Sequence, residues 1–193
     1  MKKKVFDGFT PVCRRHSLYL YERDLRARIR IVEPKVGVRT VVYDRPVDIE
    51  MVLASGVCGW FAAGDRMFVA YHGDTAVGHL LAATGECPVG EIDDRLLVEE
   101  NEVYFYAAHT EPGFRGNRIY PYLVTTASEH FRRLSYEYAM IFSTRDNMRS
   151  RKGIERSGFN LYGKVDYWNL LGWKSWRFTV GDKHVRSRLR LEC

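Results

Sequence analysis

The sequence predicts a single α/β domain whose mixed central sheet, of about six to seven strands, is flanked by helices. Three observations predict it. Apolar residues make up 46% of the 193 and aromatic residues 13%, enough to bury a substantial core. Short segments that alternate apolar and polar residues recur along the chain, as strands do. Between residues 102 and 143 a strand pattern, a helical pattern and a second strand pattern follow one another, the order of a β–α–β crossover. The length suits one domain spanning 1–193, and no internal repeat, low-complexity segment or linker divides it.

The elements follow in order. Ser17–Tyr21 and Val36–Tyr43 carry β-formers and read as strands, while the charged segment Arg23–Arg30 fits strand or helix. Asp48 is a cap candidate for a helix through Ala54, and Gly59–Ala63 reads as a second short helix. Met67–Tyr71 and Ala76–Ala83 read as strands joined by a tight turn with Gly73 as its permissive residue. A loop rich in Gly, Pro and acidic residues follows, from Gly85 to about Asp94. Glu102–His109 reads as a strand interrupted by Pro112 and Gly113. From Asn117 to Leu134, Ile119, Tyr122, Leu123, Ala127, Phe131 and Leu134 recur at helical steps. Tyr138–Ser143 is a buried-strand pattern, and Asp146 or Asn147 caps a helix that stops at Gly158. Strands from Phe159 to Tyr167 and Trp176 to Val180 complete the sheet. Trp168, Trp173 and Trp176, with Leu170 and Leu171, read as core, or as the face of a homodimer.

Composition excludes several classes. No apolar run approaches the roughly 20 residues that cross a bilayer. Lys2–Lys4 begins as a leader would, but no apolar stretch follows it. Cys13, Cys58, Cys87 and Cys193 form no CxxC pair, so neither a zinc site nor a disulfide framework is expected and the reducing cytoplasm suits the chain. The net charge of +6 lies at the ends: Lys2, Lys3 and Lys4 supply +3, and Lys183, Arg186, Arg188 and Arg190 less Glu192 supply another +3. That leaves a neutral body, and nucleic acid is not an expected partner. Inside the body, residues 145–156 are net basic and residues 86–102 strongly acidic, a polarity suited to a phosphate-rich ligand and a cationic amine.

The informative segment is Pro112–Tyr120, between a strand and a helix. Such a loop offers unpaired backbone N–H groups and the positive end of a helix dipole, Gly116 allows close backbone approach, and Arg115 and Arg118 add cations. About thirty residues later Asn147-x-x-Ser150 opens a helix that ends in Ser157-Gly158-Phe159. Phe114–Ile119 resembles the R/Q-x-x-G-x-G/A acetyl-CoA loop of the GNAT superfamily of N-acetyltransferases. The Asn147 and Gly158-Phe159 segments resemble that family's next motif, and Thr110-x-Pro112 its Val-x-Pro. The resemblance covers about residues 67–167. It breaks twice in the loop, where Arg118 and Tyr120 stand at the Gly and Gly/Ala positions. Ile154 also stands where the family often has a general-acid tyrosine, so that Tyr162, Ser150 or water takes that role or no dedicated acid is needed.

The resemblance implies a single-domain GNAT-like fold, acetyl-CoA as co-substrate, no metal, and a small-molecule amine acceptor such as an aminosugar. Its alternatives are a protein amine or a non-catalytic acyl-CoA-binding role. It implies that Ala108, His109 and Thr110 lie beside the acetyl group, that Arg115, Gly116, Asn117, Arg118, Ile119 and Tyr120 hold the phosphates, that Asn147 holds the pantetheine or phosphate arm, and that Ser150 also contacts the cofactor. The amine must lose a proton before it attacks, and a carboxylate or imidazole accepts it. Glu102, matching a general-base Glu of some members, is the first candidate and His109 the second. Tyr104 and Tyr106 share Glu102's face by strand alternation and are candidates for the acceptor pocket.

Overall fold

The computed structural model describes residues 14–45, 61, 64–92 and 94–180. Its strands are β1 (Arg14–Asp24), β2 (Arg39–Tyr43), β3 (Arg66–His72), β4 (Thr75–Ala83), β5 (Glu86–Val89), β6 (Asp94–Leu97), β7 (Glu102–Thr110), β8 (Tyr138–Thr144), β9 (Asn160–Leu170) and β10 (Trp173–Val180). Among the described residues two α-helices accompany them, α1 (Ile119–Arg133) and α2 (Met148–Arg156). The helices expected at Asp48–Ala54 and Gly59–Ala63 lie outside the described residues, apart from Phe61.

Eight strands form one sheet in the order β10-β9-β1-β8-β7-β4-β3-β2, and β5 and β6 form a two-stranded sheet. The class is the expected one, with more strands than expected. β7 and β8 are parallel, joined through α1, and the other neighbours are antiparallel. β1 is an interior strand, between β8 and β9. That placement explains the sequence Ser17-Leu-Tyr-Leu-Tyr21: Leu18 and Leu20 enter the core on one face, Tyr19 and Tyr21 on the other. The segment expected to be a loop from Gly85 to Asp94 contains most of the β5–β6 hairpin. Cys87 and Val89 point inward while Glu86 and Pro88 face solvent, an alternation too short to separate from a loop by pattern.

The sheet is covered on both faces. On one face α1 lays Ile119, Leu123, Val124, Ala127 and Phe131 against Phe68, Leu80, Ala82, Val103 and Phe105. These α1 positions recur at three and four residues, which is why this sequence is helical and why this face is buried. On the other face the β5–β6 hairpin covers Leu81, Tyr104, Tyr106 and Met140. The turn between β3 and β4 uses Gly73 at φ 58 as expected.

The tryptophan-rich end differs from the core expectation. β9 and β10 meet at a turn where Leu170, Leu171 and Trp173 are exposed, Trp173 at 87%. Trp176 packs on Tyr167, with ring centroids 5.6 Å apart, and its Nε1 donates to the Ile92 carbonyl at 3.4 Å. Among the described residues no helix is long and apolar enough to cross a membrane. Nor, among them, does any group of three or more His, Cys, Asp or Glu form a metal-binding cluster.

Candidate functional site

The ladder between β7 and β8 holds only from Glu102–Tyr138 to Phe105–Ile141, although β7 runs on to Thr110 and β8 to Thr144. Just past its end β7 bulges: Ala107 sits at φ 46, and the register with β4 shifts between His79 and Leu81. Beyond that opening lies a cleft of about 810 Å³. It is within the range of small-ligand sites and toward its upper end.

Three segments build the walls. The first is the end of β7, Ala108 to Thr110. The second is the turn into α1. Gly116 adopts φ +86, which favours glycine, and a Cβ built there meets nothing within 4 Å. The backbone is therefore open to an approaching ligand. Arg118 caps α1 at φ 61 without a side-chain cap, and the first helical bond runs from Tyr122 N to Arg118 O. The N–H groups of the first turn thus have no partner within the helix, and they carry its positive dipole end. Arg115 ties this turn to the sheet, its Nε donating to the Thr110 carbonyl at 3.0 Å.

The third wall is α2. Asn147 caps it by accepting from Ser150 N at 3.1 Å. Arg149, Lys152 and Arg156 recur at helical spacing and line the cleft together. Tyr120 reaches across from α1. A Cβ at Gly153 would lie 2.5 Å from its Cδ1, so the tyrosine ring occupies the space that glycine leaves. The Tyr120 hydroxyl lies 3.3 Å from Ser150 Oγ. Burial pushes its pKa up to about 12, an effect the Ser150 hydrogen bond partly offsets.

The structure gathers Ala108, His109, Thr110, Arg115, Gly116, Arg118, Ile119, Tyr120, Asn147 and Ser150 around this one cleft. Asn117 is not part of its wall and turns its Nδ2 to the Phe114 carbonyl at 3.1 Å. Glu102 is not brought to the cleft. It lies at the start of β7, 2% exposed, and accepts from Glu99 N at 3.3 Å. Six strand steps, about 20 Å, separate it from Ala108. His109 is at the cleft, its Nε2 3.6 Å from Glu111 Oε1 and its ring stacked on His79 at 5.7 Å. Tyr104 and Tyr106 do share a face, stacked at 5.8 Å, and both are buried on the face opposite the helices. Ile154 is buried in the core beneath the helices and Tyr162 on the opposite face, so of the residues considered for a general acid only Ser150 lines the cleft. Arg149, Lys152 and Arg156 had not been singled out, although their three- and four-residue steps in a basic segment are a readable signal.

No protein-family model matches the sequence, and no curated protein is similar to it at a significant level. Solved structures are. A GCN5-related N-acetyltransferase from Sphaerobacter thermophilus matches 85% of this chain and 53% of its own, with TM-score 0.54 and 11% identity. The chain has the GNAT fold. A GCN5-related N-acetyltransferase from Kribbella flavida matches 75% of this chain and 54% of its own, with TM-score 0.52 and 10% identity. A tandem GNAT protein from the clavulanic acid biosynthesis pathway matches 83% and 53%, with TM-score 0.52 and 13% identity. The chain spans about half the length of these GNAT structures. The Arg118 and Tyr120 departures from the GNAT loop pattern have a structural counterpart here, since Gly153 of α2 makes room for Tyr120.

Proposed function

We propose that the protein transfers an acetyl group from acetyl-CoA to a primary amine, favoured acceptors being small amines such as an aminosugar. The observation that carries this reading is the single cleft joining the free edge of β7, the open turn at Gly116 and the basic face of α2. The donor set fits a polyanionic nucleotide. Arg118, Arg149, Lys152 and Arg156 surround the cleft, and the first-turn N–H groups of α1 add oriented dipoles. Bound there, acetyl-CoA would supply an activated thioester.

The chain's own residues then divide the work. Arg115 holds the phosphate-binding turn against the end of β7. Ala108, His109 and Thr110 lie beyond the β8 ladder, so their backbone can donate to a carbonyl oxygen that gains charge. Ser150 Oγ, 3.3 Å from the Tyr120 hydroxyl, offers a proton at the α2 wall of the cleft, where position 154 holds no tyrosine. Most of the acceleration on this reading comes from orientation within the cleft.

Thiol release from acetyl-CoA, followed with glucosamine, spermidine and a lysine-containing peptide, tests the reading. Turnover with at least one amine is expected, and Gly116→Val should reduce it at least tenfold by straining the turn and closing the cradle. Tight acetyl-CoA binding without turnover on any of the three would favour a non-catalytic acyl-CoA-binding role, for which the core placement of Ile154 is the supporting observation.

A further inference from the structure

We propose that the tip of the β9–β10 hairpin docks on an anionic lipid surface, seating Leu170, Leu171 and Trp173 among the headgroups while flanking cations meet the lipid charge. The tip lies outside the cleft, so the assignment stands independently of the acetyl-transfer reading. Leu170 is 58% exposed, Leu171 68% and Trp173 87%. The turn between the strands holds Leu171 at φ 53 and Gly172 at φ 92, and Gly172 N donates to Asn169 Oδ1 at 3.1 Å. Two left-handed residues in succession favour Asn-Gly or Gly-Gly, and a leucine in that conformation is strained. Position 171 therefore carries a side chain that neither the backbone nor water favours. An apolar medium around the tip removes the second of those costs.

Cations flank the tip. Across the strands Leu170 stands opposite Trp173, Trp168 opposite Arg15 and Ser175, and Asp166 opposite Ser17 and Arg177. Trp168, Leu170, Trp173, Arg15 and Arg177 therefore share one face of the sheet. Arg15 lies over the Trp168 ring at 5.7 Å, and both Arg15 and Arg177 are exposed. Asp166 on the same face is buried and accepts from Lys164 Nζ at 2.7 Å. Exposed Lys174 adjoins the tip, and β10 contains no acidic residue. The acidic turn between β5 and β6 meets the opposite face, where Trp176 donates to the Ile92 carbonyl. β1 begins at Arg14, level with Asn169 and Lys174, so the segment carrying Lys2, Lys3 and Lys4 joins the sheet beside the tip. Apolar side chains and a basic patch are the two signals that together hold a protein on anionic lipid, and tryptophan belongs at the headgroup level.

Other occupants fit less well. Three side chains present roughly 400 Å² of apolar surface, one aromatic ring accounting for about 200 Å² of it. A stable protein interface uses about 800 Å² on each partner. Pairing β10 with the β10 of a second copy would also gather Lys174 and Arg177 of both copies with no acid on either strand to match them. A nucleic acid would engage the arginines and tryptophans but leave the two leucines in water.

Flotation of the full chain with vesicles of equimolar phosphatidylglycerol and phosphatidylcholine, against phosphatidylcholine alone, tests the assignment. At low salt the protein is expected to bind the anionic vesicles at least tenfold more tightly than the neutral ones, with a blue shift of tryptophan emission. Leu171→Asn combined with Trp173→Ser should weaken that binding at least tenfold. Asparagine favours the left-handed turn, so the unfolding temperature of Leu171→Asn alone should hold or rise. Wild-type protein that anionic vesicles leave in solution, or a double variant that binds them as tightly, would overturn the proposal. So would a dimer in sedimentation velocity that the double variant dissolves, in a protein that binds no vesicles. Retention on single-stranded RNA with the same dependence on Leu171 and Trp173, in place of vesicle binding, would overturn it as well.

Discussion

Phe131→Ala is expected to destabilise the protein by about 3–5 kcal/mol, the usual cost of deleting a fully buried phenylalanine. Phe131 is 1% exposed on α1 and is the ring around which the helix meets the sheet. It lies 6.2 Å from Phe68, 6.1 Å from Phe105 and 5.0 Å from Tyr136, centroid to centroid. These partners come from β3, β7 and the α1–β8 connection, so no single neighbour can move to fill the space. A loss of this size is a large part of the roughly 5–15 kcal/mol that holds a typical domain. In a chain of this length it lowers the melting temperature by about 10 °C or more. Leu134→Ala at the end of α1, where the side chain is 53% exposed, should change stability by less than about 0.5 kcal/mol. Denaturant unfolding of the two variants checks both values. A Phe131→Ala cost below about 1 kcal/mol would mean that α1 is not anchored as described.

The second large effect is on pH dependence. His79 is fully buried on β4, opposite His109. Burial, and then the His109 charge, pushes its pKa down to about 4, and a contact with the Ala107 backbone offsets part of the shift. The unfolded chain takes up this proton near the ordinary value of 6.5, while the folded protein resists it until about 4. Between those values the unfolded state binds more protons, so stability falls as pH drops from about 6.5 to about 4. The fall amounts to about 3 kcal/mol from this group. Carboxylates act lower: hydrogen bonds from Arg132 and Arg133 hold Glu129 down at about 2, and an Arg26 hydrogen bond lowers Asp24. Denaturant midpoints across this window should therefore slope in the wild type and flatten in His79→Leu. The residual slope comes from His130, whose pKa burial also lowers. An unchanged slope in His79→Leu would contradict the placement of this imidazole.

Most of what positions the cleft is local, and local features were legible. The α1 stripe, the Asn147 cap, the turn at Gly73 and the strand Glu102–His109 each depend on residues a few positions apart. The insertion of β1 between β8 and β9 depends on pairings such as Leu18–Val165 and Tyr21–Ile141, more than a hundred residues apart. No periodicity within β1 encodes such a partner. Glu102 illustrates the same limit at the site. Strand alternation puts it on the face of Tyr104 and Tyr106, but alternation says nothing about distance along the strand to the split. The buried Tyr106–Asp65 hydrogen bond is hidden from the sequence for the complementary reason: it spans 41 residues and joins two segments through one hydroxyl. The Tyr120 departure is explained by Gly153, which lies against its ring from the other helix, a pairing that no local pattern encodes.

On the proposed reading the cleft between the β7 edge, the Gly116 turn and α2 holds acetyl-CoA. Titration calorimetry of the whole chain with acetyl-CoA tests it most directly, alongside the double variant Arg118→Glu with Lys152→Glu. One site per chain with affinity of roughly micromolar order is expected, weakened at least tenfold by the two charge reversals while the fold persists. Absence of binding by the wild type, or equal affinity in the double variant, would contradict it.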